Sequence, residues 1–156
     1  MSYKDIVLKA IINSSEKMLK VRPTYNEIGD EKSPIRVEDF TIIMGIAGKV
    51  SGQLIFGFKE EVVKKIAEIM IEQNVESLDE LAVSAVAEFT NVLSGNSTID
   101  IVESGINKKI GMSPPSIVQG KNMRISTKVL PIEKIVLDFG STIGEVVLHI
   151  ALKEKE

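Results

Sequence analysis

The sequence predicts an α/β domain of the α+β type: a mostly antiparallel β-sheet covered by helices on one side, with one long helix carrying the chemistry. Three observations lead there. Helix, two strands, two helices and a closing run of strands is an order that alternating βαβ units do not produce. The later strand-like segments follow one another across short turns marked by Gly or Pro. The length of 156 residues suits one hydrophobic core, so a single domain over 1–156 is expected.

Each element has a local reason. In 4–20, Val7, Ala10, Ile11, Ser14 and Met18 recur at helical spacing beside Leu8, Ile12 and Leu19, until Pro23 breaks the pattern. Residues 24–34 are polar, contain Gly29 and Pro34, and read as loop. Ile, Val, Phe and Thr cluster in Arg36–Gly45 and Lys49–Phe58, with Gly45 and Gly48 near the turn of a hairpin. Lys59–Gln73 places Val62, Val63, Ile66, Ile69 and Met70 on one helical face. Ser77 with Glu80 reads as a capping box for a helix from Leu78 to at least Leu93, extending as far as Glu103. Residues 105–115, INKKIGMSPPS after Gly105 included, read as loop, and Ser116–Gln119, Met123–Leu130, Lys134–Phe139 and Glu145–Leu152 as strands.

Composition narrows the chemistry. The 19 Lys+Arg against 22 Asp+Glu give a net charge of −3, without the basic excess that phosphate-backbone binding requires, so no nucleic-acid partner is expected. There is no cysteine and one histidine, His149, which removes thiolate nucleophiles, zinc clusters and the usual histidine-based dyads. His149 alternates with apolar neighbours and reads as a sheet residue. Glycines 45, 48 and 52 form no phosphate-binding loop. The amino terminus is interrupted by Asp5 and Lys9 before reaching signal-peptide length, and no apolar run approaches the roughly 20 residues of a membrane helix. A cytoplasmic protein without membrane contact and without a metal or cofactor of its own is expected.

The long helix holds the remaining polar pattern. At about 100° per residue from Ser84, Glu88 falls near 40°, Asn91 near −20° and Gly95 near 20°, one narrow stripe. Leu78, Ala82, Ala85, Val86, Phe89, Val92 and Leu93 occupy about 80° to 200°, so the stripe lies beside the core face. A Glu-x-x-Asn pair alone carries little information: roughly 0.7 are expected by chance at this composition. The longer pattern is rarer, at about 0.003: Ser84-x-x-x-Glu88-x-x-Asn91, then 22 residues, then Pro114.

This pattern resembles the signature of the CheC/CheX/FliY chemotaxis phosphatases, in which Asp or Ser, Glu, Asn and Pro stand at the same separations. GIAGKVSGQLIFGF, LDELAVSAVAEFTN and MSPPSIVQG are similar to CheX in content and order. Glu72, Glu103 and Glu145 are followed three positions on by Val75, Ile106 and Leu148, so Glu88–Asn91 is the only copy and the resemblance is to the one-site CheX branch.

The resemblance implies a CheC-like fold, a homodimer joined through its sheets, and hydrolysis of the aspartyl phosphate of a CheY-type receiver domain. Asn91 would orient the attacking water and Glu88 would pair with the receiver lysine. Ser84, Gly95 and Pro114 would be supporting or partner-contacting positions, and Mg2+ would come with the receiver. A neutral amide suits the task, because an aspartate would repel the phosphoryl group. Lys108 and Lys109 could steer an acidic partner. The competing readings are a receiver-binding or flagellar-switch adaptor without catalysis, and a dimeric structural protein. Two departures stand out: Thr90 occupies a position where the family usually has Gly, and SGNSTIDIVE is more β-branched and polar than expected, which suggests a shorter or distorted second half of the helix.

Overall fold

The computed structural model describes residues 2–106, 109–129 and 131–155. In chain order the elements are α1 (Tyr3–Leu19), β1 (Thr24–Glu31), β2 (Ile35–Arg36), β3 (Phe40–Gly48), β4 (Val50–Phe58), α2 (Glu60–Ile71), α3 (Glu80–Ile101), β5 (Ile110–Met112), β6 (Ser116–Gln119), β7 (Arg124–Ile125), β8 (Ile132–Asp138) and β9 (Glu145–Glu154). A π-helical turn, Val102–Ile106, ends α3. Seven strands form one antiparallel sheet in the order β1-β8-β9-β4-β3-β5, with β6 also on β3, while β2 and β7 make a separate ribbon. None of the helices is long and apolar enough to cross a membrane among the described residues.

Strand alternation sorts side chains between the two faces. Phe40, Ile42, Met44, Leu54, Phe56, Phe58, Val146, Leu148 and Ile150 meet the buried residues of all three helices in one core. Phe40 and Phe58 sit opposite each other in register and pack edge-to-face at 6.0 Å. On the other face Ile55, Ile132 and Ala151 form a smaller cluster with Ile35 of the ribbon. Where β4 crosses β9, Gly52 has φ +143°, and a Cβ there would stand 1.8 Å from the Ala151 carbonyl oxygen. Only glycine keeps these two central strands paired.

The antiparallel, helix-covered α+β architecture is as expected, and several local boundaries are corrected. Residues 24–34 are not loop: Thr24–Glu31 is an edge strand paired with β8, with a bulge between Glu27 and Gly29. Seven of its eight residues are exposed, so no apolar alternation marked it. The expected strand Arg36–Gly45 is divided, Arg36 belonging to the ribbon and Phe40 opening β3. The expected loop 105–115 contains β5, and the expected strand Met123–Leu130 is strand only at Arg124–Ile125, with Leu130 outside the described residues. Ser77 does not cap the long helix. Asp79 does, accepting from the Ala82 amide at 2.8 Å, and α3 starts at Glu80.

The second half of α3 is neither short nor distorted before Val102. Its polar β-branched and hydroxyl residues bury themselves by bonding back to the helix: Ser97 Oγ donates to the Leu93 carbonyl at 2.9 Å and Thr98 Oγ1 to the Gly95 carbonyl at 2.7 Å. Asn96 donates to Ser14 Oγ of α1 at 2.8 Å, tying the two helices together.

Candidate functional site

The site is built on α3, whose 22 residues extend about 33 Å at 1.5 Å each. Ala82, Val86, Phe89 and Leu93 anchor the helix in the core, which fixes its rotation and turns Ser84, Glu88 and Asn91 outward. Ser84 and Glu88 are exposed and Asn91 is half-buried. All three line one open groove of about 450 Å³ with Ala87, and the opposite wall is Met112, Ser113, Pro114 and Pro115. Four of the expected site residues, Ser84, Glu88, Asn91 and Pro114, therefore meet in one place. Gly95 is one turn further along, where an added Cβ would reach only the Met112 Cε, at 4.0 Å.

The opposite wall is held by a reciprocal pair of hydrogen bonds. The Gly45 amide donates to Ser113 Oγ at 2.8 Å, and the Ser113 amide donates to the Gly45 carbonyl at 2.9 Å. Ser113 thus locks the loop to β3 immediately before the two prolines, whose fixed φ stiffens the rim. The sequence reading missed Met112, Ser113 and Pro115 as groove residues, although MSPPS was a visible proline-rich signal.

Among the described residues neither chemical group is used up within the fold. Among the described residues no ion pair engages Glu88 and no side-chain hydrogen bond engages Asn91. α3 carries Glu80, Glu88 and Asp100 and no basic residue, so its exposed side favours a cationic group on whatever docks there. Thr90 is buried, with its hydroxyl donating to the Ala87 carbonyl at 2.9 Å, and does not intrude on the groove. Among the described residues no group of three His, Cys, Asp or Glu is placed to hold a metal ion.

The remaining candidates lie elsewhere. Lys108 is outside the described residues, and Lys109 lines a second groove with Ile99, Val102 and Ile110. His149 is a sheet residue, 2% exposed, on the face away from the helices, with Nε2 3.3 Å from Glu31 Oε1. Burial pushes its imidazole below the ordinary value, and the Glu31 hydrogen bond offsets part of this. A polar cavity of about 290 Å³ opens there, between the ribbon and the sheet.

The fold and groove define a class: an α+β domain that offers a carboxylate and an amide from one helix face and contributes no metal-binding cluster among the described residues. The chain belongs to the chemotaxis phosphatase CheX family, whose family model matches residues 40–140. It is 33% identical over 88 residues to the CheY-P phosphatase CheX of Thermotoga maritima, a match covering 54% of each chain, so the chain spans about half the length of that curated relative. Among solved structures, CheX in the CheX-CheY-BeF3-Mg2+ complex from Borrelia burgdorferi superposes with a TM-score of 0.82 at 21% identity, over 98% of this chain and 99% of the other. A CheX from Desulfovibrio desulfuricans gives 0.80 at 19% identity, over 99% and 100%. These two establish the fold.

Proposed function

We propose that residues 1–156 act as one CheX-like domain that hydrolyses the aspartyl phosphate of a CheY-type receiver in the cytoplasm. The observation that carries this is the Glu88–Asn91 pair, which lines one open groove with no ion pair to Glu88 and no side-chain hydrogen bond to Asn91 among the described residues. Supporting it are the T. maritima relative, which is a CheY-P phosphatase, and the B. burgdorferi CheX, whose structure is a complex with CheY, BeF3 and Mg2+.

Hydrolysis needs a water in line with phosphorus and little covalent work from the protein. The water oxygen bonds phosphorus as the bond to the aspartyl oxygen breaks. That electron pair returns to the carboxylate, and the water proton leaves on inorganic phosphate. Asn91 is suited to orient this water, its amide offering both acceptor and donors without charge. Glu88 is placed to pair with the receiver lysine, a charge-assisted contact that would set the helix in register. Ser84 and the Pro114 rim bound the groove on either side, and the receiver supplies the Mg2+ that balances phosphoryl charge. The test is phosphate release from a phosphorylated receiver, with Asn91→Ala expected to lower kcat by about 100-fold or more. An Asn91→Ala protein that retained activity would sink the mechanism, and binding without accelerated release by the wild type would favour an adaptor.

The domain is further assigned as a homodimer joined through a sheet edge. Of the two edges, β1 carries Glu27, Asp30 and Glu31 and a bulge, devices that discourage pairing, whereas β6 is uncharged and exposes Ile117 and Val118. Sedimentation of Val118→Lys should give a monomer if β6 is the joining edge; a dimer would exclude it.

A further inference from the structure

The groove at Glu88 and Asn91 is continued along α3 by a second one of about 260 Å³, lined by Thr98, Ile99, Val102 and Glu103 on the helix and by Lys109 and Ile110 opposite. Both have the same two walls, α3 on one side and the segment 109–115 on the other. Gly95 lies between them along the helix, and an added Cβ there would stand 4.0 Å from Met112 Cε. A single exposed isoleucine is ordinary on a protein surface. Ile99 differs in being 53% exposed and also set in a depression with Val102 and Ile110 beside it.

Position ties this depression to the reacting groups. Ile99 projects near 60° on the helix against about 40° for Glu88, and lies eight residues, about 12 Å, beyond Asn91. A domain of about 100 residues has a radius of gyration near 13 Å, so a receiver with its phosphoryl group at Asn91 and its body over the 109–115 wall reaches Ile99, whereas Leu81 lies towards the other end of α3. Glu103 and Lys109 in the lining are exposed and keep their charges in water, whereas an apolar side chain set against Ile99, Val102 and Ile110 would be buried favourably.

Resting on the receiver reading above, we infer that the groove at Ile99, Val102 and Ile110 is a specificity subsite that receives a large apolar side chain of the receiver, about 12 Å from its phosphorylated aspartate. This contact is the same before and during bond breaking. It therefore contributes equally to ground-state and transition-state binding, and sets KM while leaving kcat to Asn91.

The test is steady-state phosphate release from one phosphorylated CheY-type receiver, comparing wild type with Ile99→Ala, Asn91→Ala and Leu81→Ala. Leu81 is 58% exposed and near the same 60° line of α3, but lines neither groove, so it reports the effect of surface apolarity alone. Ile99→Ala should raise KM about five- to thirty-fold with kcat unchanged and an unaltered melting temperature. Leu81→Ala should leave KM within about two-fold. An unchanged KM for Ile99→Ala, or an equal rise for Leu81→Ala, overturns the subsite while leaving the phosphatase reading intact if Asn91→Ala still lowers kcat. Wild-type protein that releases no phosphate overturns both.

Discussion

Replacing Gly95 by alanine should move stability and activity in opposite directions. Glycine inside a helix is about 0.8–1 kcal/mol less favourable than alanine, because it loses more backbone freedom on folding. Gly95 lies in the regular part of α3, and the nearest atom to an added Cβ is Met112 Cε at 4.0 Å, an ordinary contact, so no clash offsets the gain. For a chain of this size, 1 kcal/mol corresponds to about 2–4 °C, so the melting temperature should rise by that amount. The new methyl would project near 20°, between Glu88 and Asn91 in angle and one turn beyond Asn91. On the proposed function, a receiver held off by about 1 Å would lose alignment worth about 100-fold in rate. Circular-dichroism melting and urea unfolding report the first effect, and kcat/KM for phosphate release the second. A lower melting temperature would refute the packing argument, and unchanged kcat/KM would refute Gly95 as a point of close approach.

Other perturbations test the fold that holds the groove. Asp79→Ala removes the side chain that accepts from the Ala82 amide and should cost about 1 kcal/mol, read as a lower urea midpoint; an unchanged midpoint would deny the cap. Gly52→Ala drives a Cβ into the Ala151 carbonyl at 1.8 Å and should destabilise by well over 1 kcal/mol, so a soluble variant with wild-type melting would contradict the β4–β9 register. His149 has a lowered folded-state pKa because burial disfavours the imidazolium more than Glu31 restores it, with Lys134 adding repulsion. The unfolded chain therefore binds the proton that the folded one refuses. Stability from this group is complete above the ordinary value of about 6.5 and declines as pH falls towards the lowered one. Urea midpoints between pH 5 and 8 should fall less steeply for His149→Gln than for wild type, and identical slopes would refute the linkage.

What the sequence reveals is decided by which residues bury a periodic face. α2 is legible because one side of it is apolar and faces the core, and β4 because Leu54–Phe58 is a continuous apolar run buried on both faces of the sheet. β1 is illegible for the opposite reason: an exposed edge strand needs pairing with β8 but no apolar alternation. β2, β5 and β7 are two or three residues long, too short for any period to appear. The buried arc of α3 also exceeds its apolar arc. Thr90, Ser97 and Thr98 satisfy their hydroxyls on carbonyls of their own helix and can then be buried like aliphatic residues.

Helical geometry placed Glu88 and Asn91 on one stripe and the family resemblance gave them and Pro114 significance, whereas Met112, Ser113 and Pro115 were missed because that wall depends on hydrogen bonds to Gly45, 68 residues away. The 22-residue interval to Pro114 joins the two. From Val92 the helix continues to Ile101, about 15 Å away from the pair, turns through Val102–Ile106, and returns as β5 on the edge of β3. The interval is thus the length of an excursion and its return, ending where Ser113 is locked to Gly45 and the next residue stands across the groove from Asn91. A proline at that position limits the backbone on both sides of itself, so the rim is set by the chain itself. The spacing therefore records a structural closure, and both walls of the groove are supplied by this chain alone.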